Sequence, residues 1–99
     1  MSKVTEKYEK NLKEDLQDPF EAAEYLNAAL EDGSPEVFLM ALKDVAHAKG
    51  IAEIARATKL NRENLYRILS QQGNPKLKSL SSVLHSVGLK LSVEVENQI

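Results

Sequence analysis

The side chains best suited to bind a ligand in this sequence cluster between residues 62 and 70. If this segment is helical, its residues turn by about 100° each, so one face carries two arginines, a glutamate, a tyrosine and a serine. Arginine can make two hydrogen bonds to guanine, and tyrosine can contact a thymine methyl or a phosphate. The glutamate can accept from a cytosine amine, but we favour an ion pair with the arginine four residues later, because such intrahelical pairs are common and need no particular operator. The predicted DNA-contacting face consists of Arg62, Glu63, Tyr66, Arg67 and Ser70, with Asn61 as the N-cap before them.

Two short helices that meet at a tight turn would position this face. Residues 51–69 carry small and aliphatic side chains at the inward positions, namely Ala55, Leu60, Leu65 and Ile68. That spacing is the apolar skeleton of a helix-turn-helix, whose second helix enters the major groove of DNA. We therefore predict motif helices over roughly residues 52–58 and 62–70.

Polar and basic residues that border the second helix are candidates for contacts to the DNA backbone. They are Lys49, Arg56, Lys59, Gln71, Gln72, Asn74, Lys76 and Lys78. Such contacts orient a protein on the duplex without recognising its sequence. Charged residues also populate ordinary solvated helix faces, and helix-turn-helix skeletons occur in proteins that do not touch DNA. A protein-binding module that does not bind DNA is therefore an alternative.

Charge is distributed unevenly along the 99 residues. Residues 1–40 contain 4 basic and 10 acidic residues, whereas residues 41–90 contain 9 basic and 3 acidic ones, although the formal net charge is only −2. The basic second half suits phosphates, and the acidic first half faces another partner or solvent. A hydrophobic content of 42% fits one domain with a modest core.

The composition gives little support for catalysis. Cysteine is absent, which excludes a disulfide framework, thiol catalysis and cysteine-ligated zinc. Neither His47 nor His85 has metal-ligand or nucleophile spacing around it, and the four glycines form no nucleotide-binding pattern. We expect no enzyme, no metal site and no cofactor. The polar N-terminus and the lack of a long apolar run predict a cytoplasmic protein without a membrane segment.

Apolar periodicity changes from about 3.6 to about 2 residues after Gly88. Leu89, Leu91, Val93 and Val95 alternate with polar residues, which is typical of a half-buried strand. A lone strand cannot satisfy its backbone groups, and the chain has no second convincing strand. One interpretation is an extended tail packed on the helices. The other is that two copies pair this strand across a two-fold axis, giving a homodimer for a palindromic operator.

The chain as a whole resembles the Cro/C1-type, or XRE, helix-turn-helix class, and more narrowly the addiction-module antidote family of HigA-like antitoxins. The resemblance covers roughly residues 18–95 and rests on the segments EYLNAALEDGSPEVFLMALKDVAHAKG, LYRILSQQGNP and LHSVGLKLSV. The chain departs from the family at His47, where arginine is more frequent. It departs from the wider class at Lys59, where glycine usually occupies the turn. If Lys59 is left-handed, we expect a strain of about 1 kcal/mol.

The resemblance implies an all-α fold: a five-helix Cro/C1 repressor-like helix-turn-helix domain with a short C-terminal β-strand. We predict an N-terminal extension at 1–17, the DNA-binding domain with its strand at 18–95, and a tail at 96–99. Helix signals agree, because Asp18-Pro19 and Ser34-Pro35 each place an N-cap before a proline at the first helical position.

The function implied by the resemblance is that of an antitoxin. Such a protein binds double-stranded operator DNA in a sequence-specific manner, represses its own operon, and neutralises a small basic toxin that cleaves mRNA. The acidic residues expected to meet a basic toxin are Glu21, Glu24, Glu31, Asp32 and Glu36. A stand-alone or phage-derived repressor without a toxin is the alternative within this class.

Overall fold

The computed structural model of this protein describes residues 11–70 and 74–97. Every regular element within these ranges is an α-helix. The elements are α1, described at residues 11–16, α2 (Pro19–Glu31), α3 (Pro35–Lys49), α4 (Ile51–Thr58), α5 (Arg62–Ile68) and α6 (Leu77–Ser86). The predicted all-α class is confirmed. Residues 1–10 of the predicted extension, Gln71, Gln72 and residues 98–99 lie outside the described residues.

The starts of α2 and α3 are fixed by side-chain caps. Asp18 accepts a hydrogen bond from the backbone N–H of Phe20 at 2.9 Å. Ser34 accepts from the N–H of Val37 at 3.4 Å, and its hydroxyl donates to the Glu36 carboxylate at 2.8 Å. That hydroxyl holds the pKa of Glu36 below its ordinary value, because a hydrogen bond to a carboxylate favours the charged form. The predicted helix starts are therefore confirmed, each with a proline in the first turn.

One apolar core joins the helices. Helices α2 and α3 form the largest helix–helix interface, and α4 contacts α3, α5 and α6. The largest fully buried side chains are Leu42, Val45, Ile54, Leu65, Leu69 and Val83. Leu16 of α1 is also buried, and the Gln17 side chain donates to the carbonyl oxygen of Ala48 at 3.0 Å. These contacts place α4 and α5 on the same core as the rest of the chain.

The turn between α4 and α5 is left-handed at Lys59, with φ 63° and ψ 18°. Lys59 is the one residue other than glycine with positive φ in the described part of the chain. Thr58 supports the turn: its hydroxyl donates to the Ile54 carbonyl at 2.7 Å and accepts from the Leu60 N–H at 3.3 Å. The condition on which the strain was expected, a left-handed Lys59, is therefore met.

The end of α6 is a glycine-dependent turn. Gly88 has φ +85°, its N–H donates to the His85 carbonyl at 3.0 Å, and the Leu89 N–H donates to the Leu84 carbonyl at 2.8 Å. This pair of bonds satisfies carbonyls that a helix end leaves open. A Cβ on residue 88 would lie 3.5 Å from Cγ of Pro19. Gly88 therefore directs the chain away from α6 while passing close to α2.

The predicted C-terminal strand is wrong for the single chain. Residues 89–97, here called the C-terminal segment, form neither strand nor helix. Leu89 packs against the core, but Leu91 is 43% exposed, Val93 98% and Val95 94%. A strand requires a hydrogen-bonded neighbour, and the described residues of one chain provide none. The alternation of apolar and polar residues in this segment is therefore not matched by an alternation of buried and exposed side chains in a single chain.

None of the helices in the described residues is both long enough and apolar enough to cross a bilayer.

Candidate nucleic-acid interface

Helices α4 and α5, with the turn at residues 59–61, form a small unit that we call the α4–α5 motif. Its bounds, Ile51–Thr58 and Arg62–Ile68, agree with the predicted helices to within two residues. Ile54 on α4 and Leu65 on α5 are fully buried, and Leu69 directly after α5 is also buried. These three side chains fix the orientation of α5, so that the opposite side of this helix must face solvent.

The start of α5 is capped as predicted. Asn61 has an extended backbone, and its side-chain oxygen accepts from the N–H of Asn64 at 2.7 Å. Because this oxygen is engaged in the cap, Asn61 has its amide group left for any contact with DNA. The end of α5 comes earlier than predicted. The Leu69 N–H donates to Leu65 and the Ser70 N–H donates to Arg67, which closes the helix at Ile68.

The outward face of α5 brings together the residues predicted to contact bases. All of its members are solvent-exposed: Arg62, Glu63, Tyr66, Arg67 and Ser70. Tyr66 is 47% exposed, although its ring is large and apolar. The favoured ion pair of Glu63 with Arg67 is wrong: both side chains are exposed to solvent, and they form no ion pair with each other. Two guanidinium groups and a phenol are thus free to meet an external acceptor.

Beside this face, a shallow groove runs between α5 and the start of α6. It has a volume of about 340 Å³ and is lined by Leu60, Asn64, Arg67, Ile68, Asn74, Pro75, Lys76 and Ser79. Lys76 is the exposed N-cap residue of α6. The structure therefore places three predicted site residues, Arg67, Asn74 and Lys76, around one concave surface. We call this surface the α5–α6 groove.

The other residues predicted to contact the DNA backbone are dispersed over α3, α4, the turn before α5, and α6. Each is exposed: Lys49 at the end of α3, Arg56 on α4, Lys59 at the turn and Lys78 on α6. Lys59 is the C-cap residue of α4 and lies three residues before α5 begins. Lys49, Arg56 and Lys78 are not among the residues that line the α5–α6 groove, so their part in the site stays a prediction.

A residue not included in the predicted site also reaches the outward face. The ring centroids of His47 and Tyr66 are 6.3 Å apart, and their planes are inclined by 39°. His47 is exposed in the last turn of α3, so this contact joins α3 to α5. Sequence spacing did not identify the contact, because the two residues belong to different helices. The available signal was the difference from the family at His47, a position where arginine is more frequent.

A second surface, remote in sequence from the α4–α5 motif, carries the acidic residues. Each of them is exposed: Glu21, Glu24, Glu31, Asp32 and Glu36. A groove of about 300 Å³ opens between α2 and α3; of these five residues Asp32 lines it, together with Val37, Met40 and Asp44 among others. The Tyr25 hydroxyl donates to the Asp44 carboxylate at 2.7 Å across this pair of helices. This acidic surface combines carboxylates with exposed apolar side chains.

In the part of the chain that the structure describes, no three carboxylate or imidazole groups are placed to hold a metal ion.

Comparison with known proteins relates this chain to a protein family and to a bacterial relative. Residues 6–95 match a family model described as "Probable addiction module antidote protein". An uncharacterized protein of Haemophilus influenzae is 37% identical over 70 residues, which cover 71% of this chain and 72% of that relative. No solved structure is a significant match.

Proposed function

This chain belongs to the addiction-module antidote protein family, and from that premise we propose that it is an antitoxin that represses its own operon. More narrowly, we propose a HigA-like antitoxin of the Cro/C1-type helix-turn-helix class. The observation that carries the DNA-binding part is the outward face of α5, which is exposed while Leu65 and Leu69 anchor the same segment in the core. No catalytic step and no cofactor are part of the proposal.

In the proposed complex, α5 enters the major groove of a double-stranded operator. Arg62 and Arg67 are the candidates for guanine contacts, because a guanidinium matches two acceptors on that base. Tyr66 is placed to contact a thymine methyl or a phosphate. The surrounding cations hold the duplex in position, and they are Lys49, Arg56, Lys59, Lys76 and Lys78. Such a protein acts in the cytoplasm, where its operator is located.

The proposed DNA-binding unit is a homodimer formed through the C-terminal segment. Val93 and Val95 are almost fully exposed, although β-branched apolar side chains favour covered strands. Pairing with the same segment of a second copy would bury both valines and satisfy the backbone groups that one chain leaves open. A two-fold dimer also matches a palindromic operator, in which half-sites repeat about one helical turn apart.

The proposed toxin partner is a small basic protein that cleaves mRNA. An RNA-cleaving protein needs positive charge to bind its substrate, and the acidic surface offers the complementary charge. The carboxylates act as a group in this proposal, because single exposed charge pairs contribute at most about 1 kcal/mol. Val37 and Met40 supply apolar area beside them, being 36% and 45% exposed.

Binding to the DNA directly upstream of the gene tests the repressor part. We expect the wild-type protein to bind this duplex far more tightly than a scrambled duplex of equal length at the same salt concentration. Its affinity should fall steeply as salt rises, because phosphate contacts release counterions. If the protein binds neither duplex, the DNA-binding part fails and a module that binds only protein remains.

Co-expression with the neighbouring gene product tests the antitoxin part. We expect the neighbour to stop growth when expressed alone and to be harmless beside this protein. The quintuple amide variant E21Q/E24Q/E31Q/D32N/E36Q should lose protection while retaining operator binding, and Arg67→Ala should retain protection while losing operator affinity. If the neighbour is harmless alone, a repressor without a toxin is the correct function.

A further inference from the structure

The C-terminal segment could pair with a second copy of itself in several registers, and its sequence distinguishes them. In a two-fold antiparallel pair, one residue lies on the axis and opposes itself, and residues at equal distances before and after it oppose each other. With Ser92 on the axis, Leu89 opposes the partner's Val95, and Leu91 opposes the partner's Val93. All apolar residues of the segment then face apolar residues on the same side of the two-stranded pair.

The polar side of the pair is complementary in the same register. Lys90 opposes the partner's Glu94, and by symmetry Glu94 opposes the partner's Lys90. Opposite charges placed directly across two strands stabilise the pair, and like charges destabilise it. In the single chain both side chains are exposed, and neither has an ion-pair partner among the described residues. The charge pattern of the segment is therefore complementary to a second copy of the same segment.

The two neighbouring registers are less complementary. Moving the axis one residue towards the C-terminus opposes Leu89 to the partner's Asn97. Moving it one residue towards the N-terminus opposes Glu94 to the partner's Gly88, which carries no charge. Of these three registers, the one centred on Ser92 is alone in matching both the apolar and the charged side chains.

The helices beneath the segment supply the support that two strands need. A two-stranded pair is marginally stable in water unless one of its faces packs against other structure. Leu89 packs against the core, and Leu91 borders an apolar groove of about 380 Å³ to which Leu30 and Phe38 also contribute. Because the Cβ atoms of opposed residues lie about 5 Å apart, the partner's Val93 would lie beside Leu91 and close to this groove.

We propose that two copies of this chain pair residues 89–95 antiparallel about Ser92, with Lys90 of each copy bound to the partner's Glu94. The apolar side of the pair, including the partner's Val93, covers the groove beside Leu91. This register rests on the homodimer of the proposed function, and it specifies which residues of the two copies meet.

Exchange of the two charges tests the register. Lys90→Glu opposes glutamate to glutamate at both ends of the pair, and Glu94→Lys opposes lysine to lysine. Each variant alone should dimerise roughly tenfold more weakly than the wild-type protein by sedimentation equilibrium. An equimolar mixture of the two variants should recover the wild-type affinity to within about threefold, because each pair again joins a lysine to a glutamate. The double variant Lys90→Glu/Glu94→Lys should recover it as well.

The matched control for Glu94→Lys is Glu96→Lys. It makes the same change of charge two residues further along the same side of the segment. In the proposed register it lies opposite the partner's Gly88, so the variant should dimerise like the wild-type protein. Circular dichroism checks that every variant keeps its helices.

Cross-linking locates the axis without relying on charge. The chain contains no cysteine, so Ser92→Cys introduces a single thiol, which opposes the partner's thiol within the Cα separation that a disulfide spans. Mild oxidation should convert most of this variant to a covalent dimer on non-reducing electrophoresis. Glu96→Cys is the control: its two thiols would be roughly 25 Å apart along the pair, and it should remain mostly uncross-linked.

The outcomes distinguish the register from the dimer on which it rests. If the wild-type protein is monomeric at every concentration, both the register and the proposed homodimer are wrong. If it dimerises but the charge variants all behave like it and Ser92→Cys does not cross-link, the dimer stands and this register is wrong. If Glu96→Lys weakens the dimer and Glu94→Lys does not, the register centred on Ser92 is also wrong. A mixture of Lys90→Glu and Glu94→Lys that stays as weak as either variant alone would show that these charges do not meet.

Discussion

The α4–α5 motif and the C-terminal segment both carry apolar residues at regular spacing, but the two regions differ in how far these side chains are buried. In the motif, Ile54 and Leu65 are about 1% or less exposed. In the C-terminal segment, Val93 and Val95 are more than nine-tenths exposed. The motif reaches its helical structure within a single chain, whereas the segment has a strand-like sequence and no strand. The difference indicates that the apolar side chains of the segment are suited to burial against a second molecule.

Removing the exposed part of the C-terminal segment should have the largest effect on the proposed function. We expect a chain truncated after Lys90, which keeps the Leu89 contact with the core, to be monomeric by sedimentation. Its affinity for a palindromic operator should fall by roughly 10²- to 10⁴-fold, because two linked half-site contacts become independent. Affinity for a single half-site should change little.

A matched control distinguishes loss of pairing from loss of length. The full-length double variant Val93→Lys/Val95→Lys keeps the backbone but places charges where the valines would be covered. It should be monomeric as well. If either variant stayed dimeric, the interface would lie elsewhere, and the exposed valines would need a different partner.

Substitution inside the motif should affect the fold itself. Leu65 is completely buried, so Leu65→Ala should lower the free energy of unfolding by roughly 2–5 kcal/mol through lost burial and the cavity left behind. Urea denaturation measures this change. Ile68→Ala, at a half-buried position on the same helix, should cost less. An equal loss at both positions would show that burial of Leu65 is not what holds α5.

The sequence predicted the motif well because its determinants are local. The cap of Asn61 on Asn64 and the left-handed Lys59 each involve residues within a few positions of one another. The hydroxyl of Thr58, which supports the same turn, was not predicted, although threonine at a helix end commonly bonds to a preceding carbonyl. Helix periodicity and turn chemistry therefore account for the motif to within two residues.

The parts that sequence reasoning missed depend on distant or external groups. The contact of His47 with Tyr66 requires the relative placement of α3 and α5, which no local pattern encodes. The strand at Leu89–Val95 was predicted from alternation, which specifies a face but not the partner that makes the ladder. The grouping of Arg67 with Asn74 and Lys76 in one groove also follows from packing of α6 beside α5.

Substitution on the outward face should separate binding from stability. Arg67 is exposed, so Arg67→Ala should leave the free energy of unfolding nearly unchanged. Operator binding should weaken by about 1–3 kcal/mol, as expected for loss of one base contact. Anisotropy titrations against the operator and a scrambled duplex measure the loss. If the variant bound the operator normally, α5 would face DNA through other residues or not at all.

The smallest expected effect concerns the strain that the motif carries. Lys59 has a left-handed backbone, which a side chain with a Cβ adopts at a cost of about 1 kcal/mol. Lys59→Gly should relieve this strain and raise the free energy of unfolding by up to about 1 kcal/mol, partly offset by the greater freedom of glycine in the unfolded chain.

Lys59→Ala is the control that separates backbone strain from charge. It removes the same cation but keeps the Cβ, so it should show no gain in stability. Both variants should lose a similar, modest operator affinity if Lys59 contacts a phosphate, and the salt slope should fall by about one contact in each. A gain in stability for alanine equal to that for glycine would show that the lysine charge, not the left-handed backbone, strains the turn. Unchanged salt slopes in both variants would remove Lys59 from the interface while leaving the turn geometry as described.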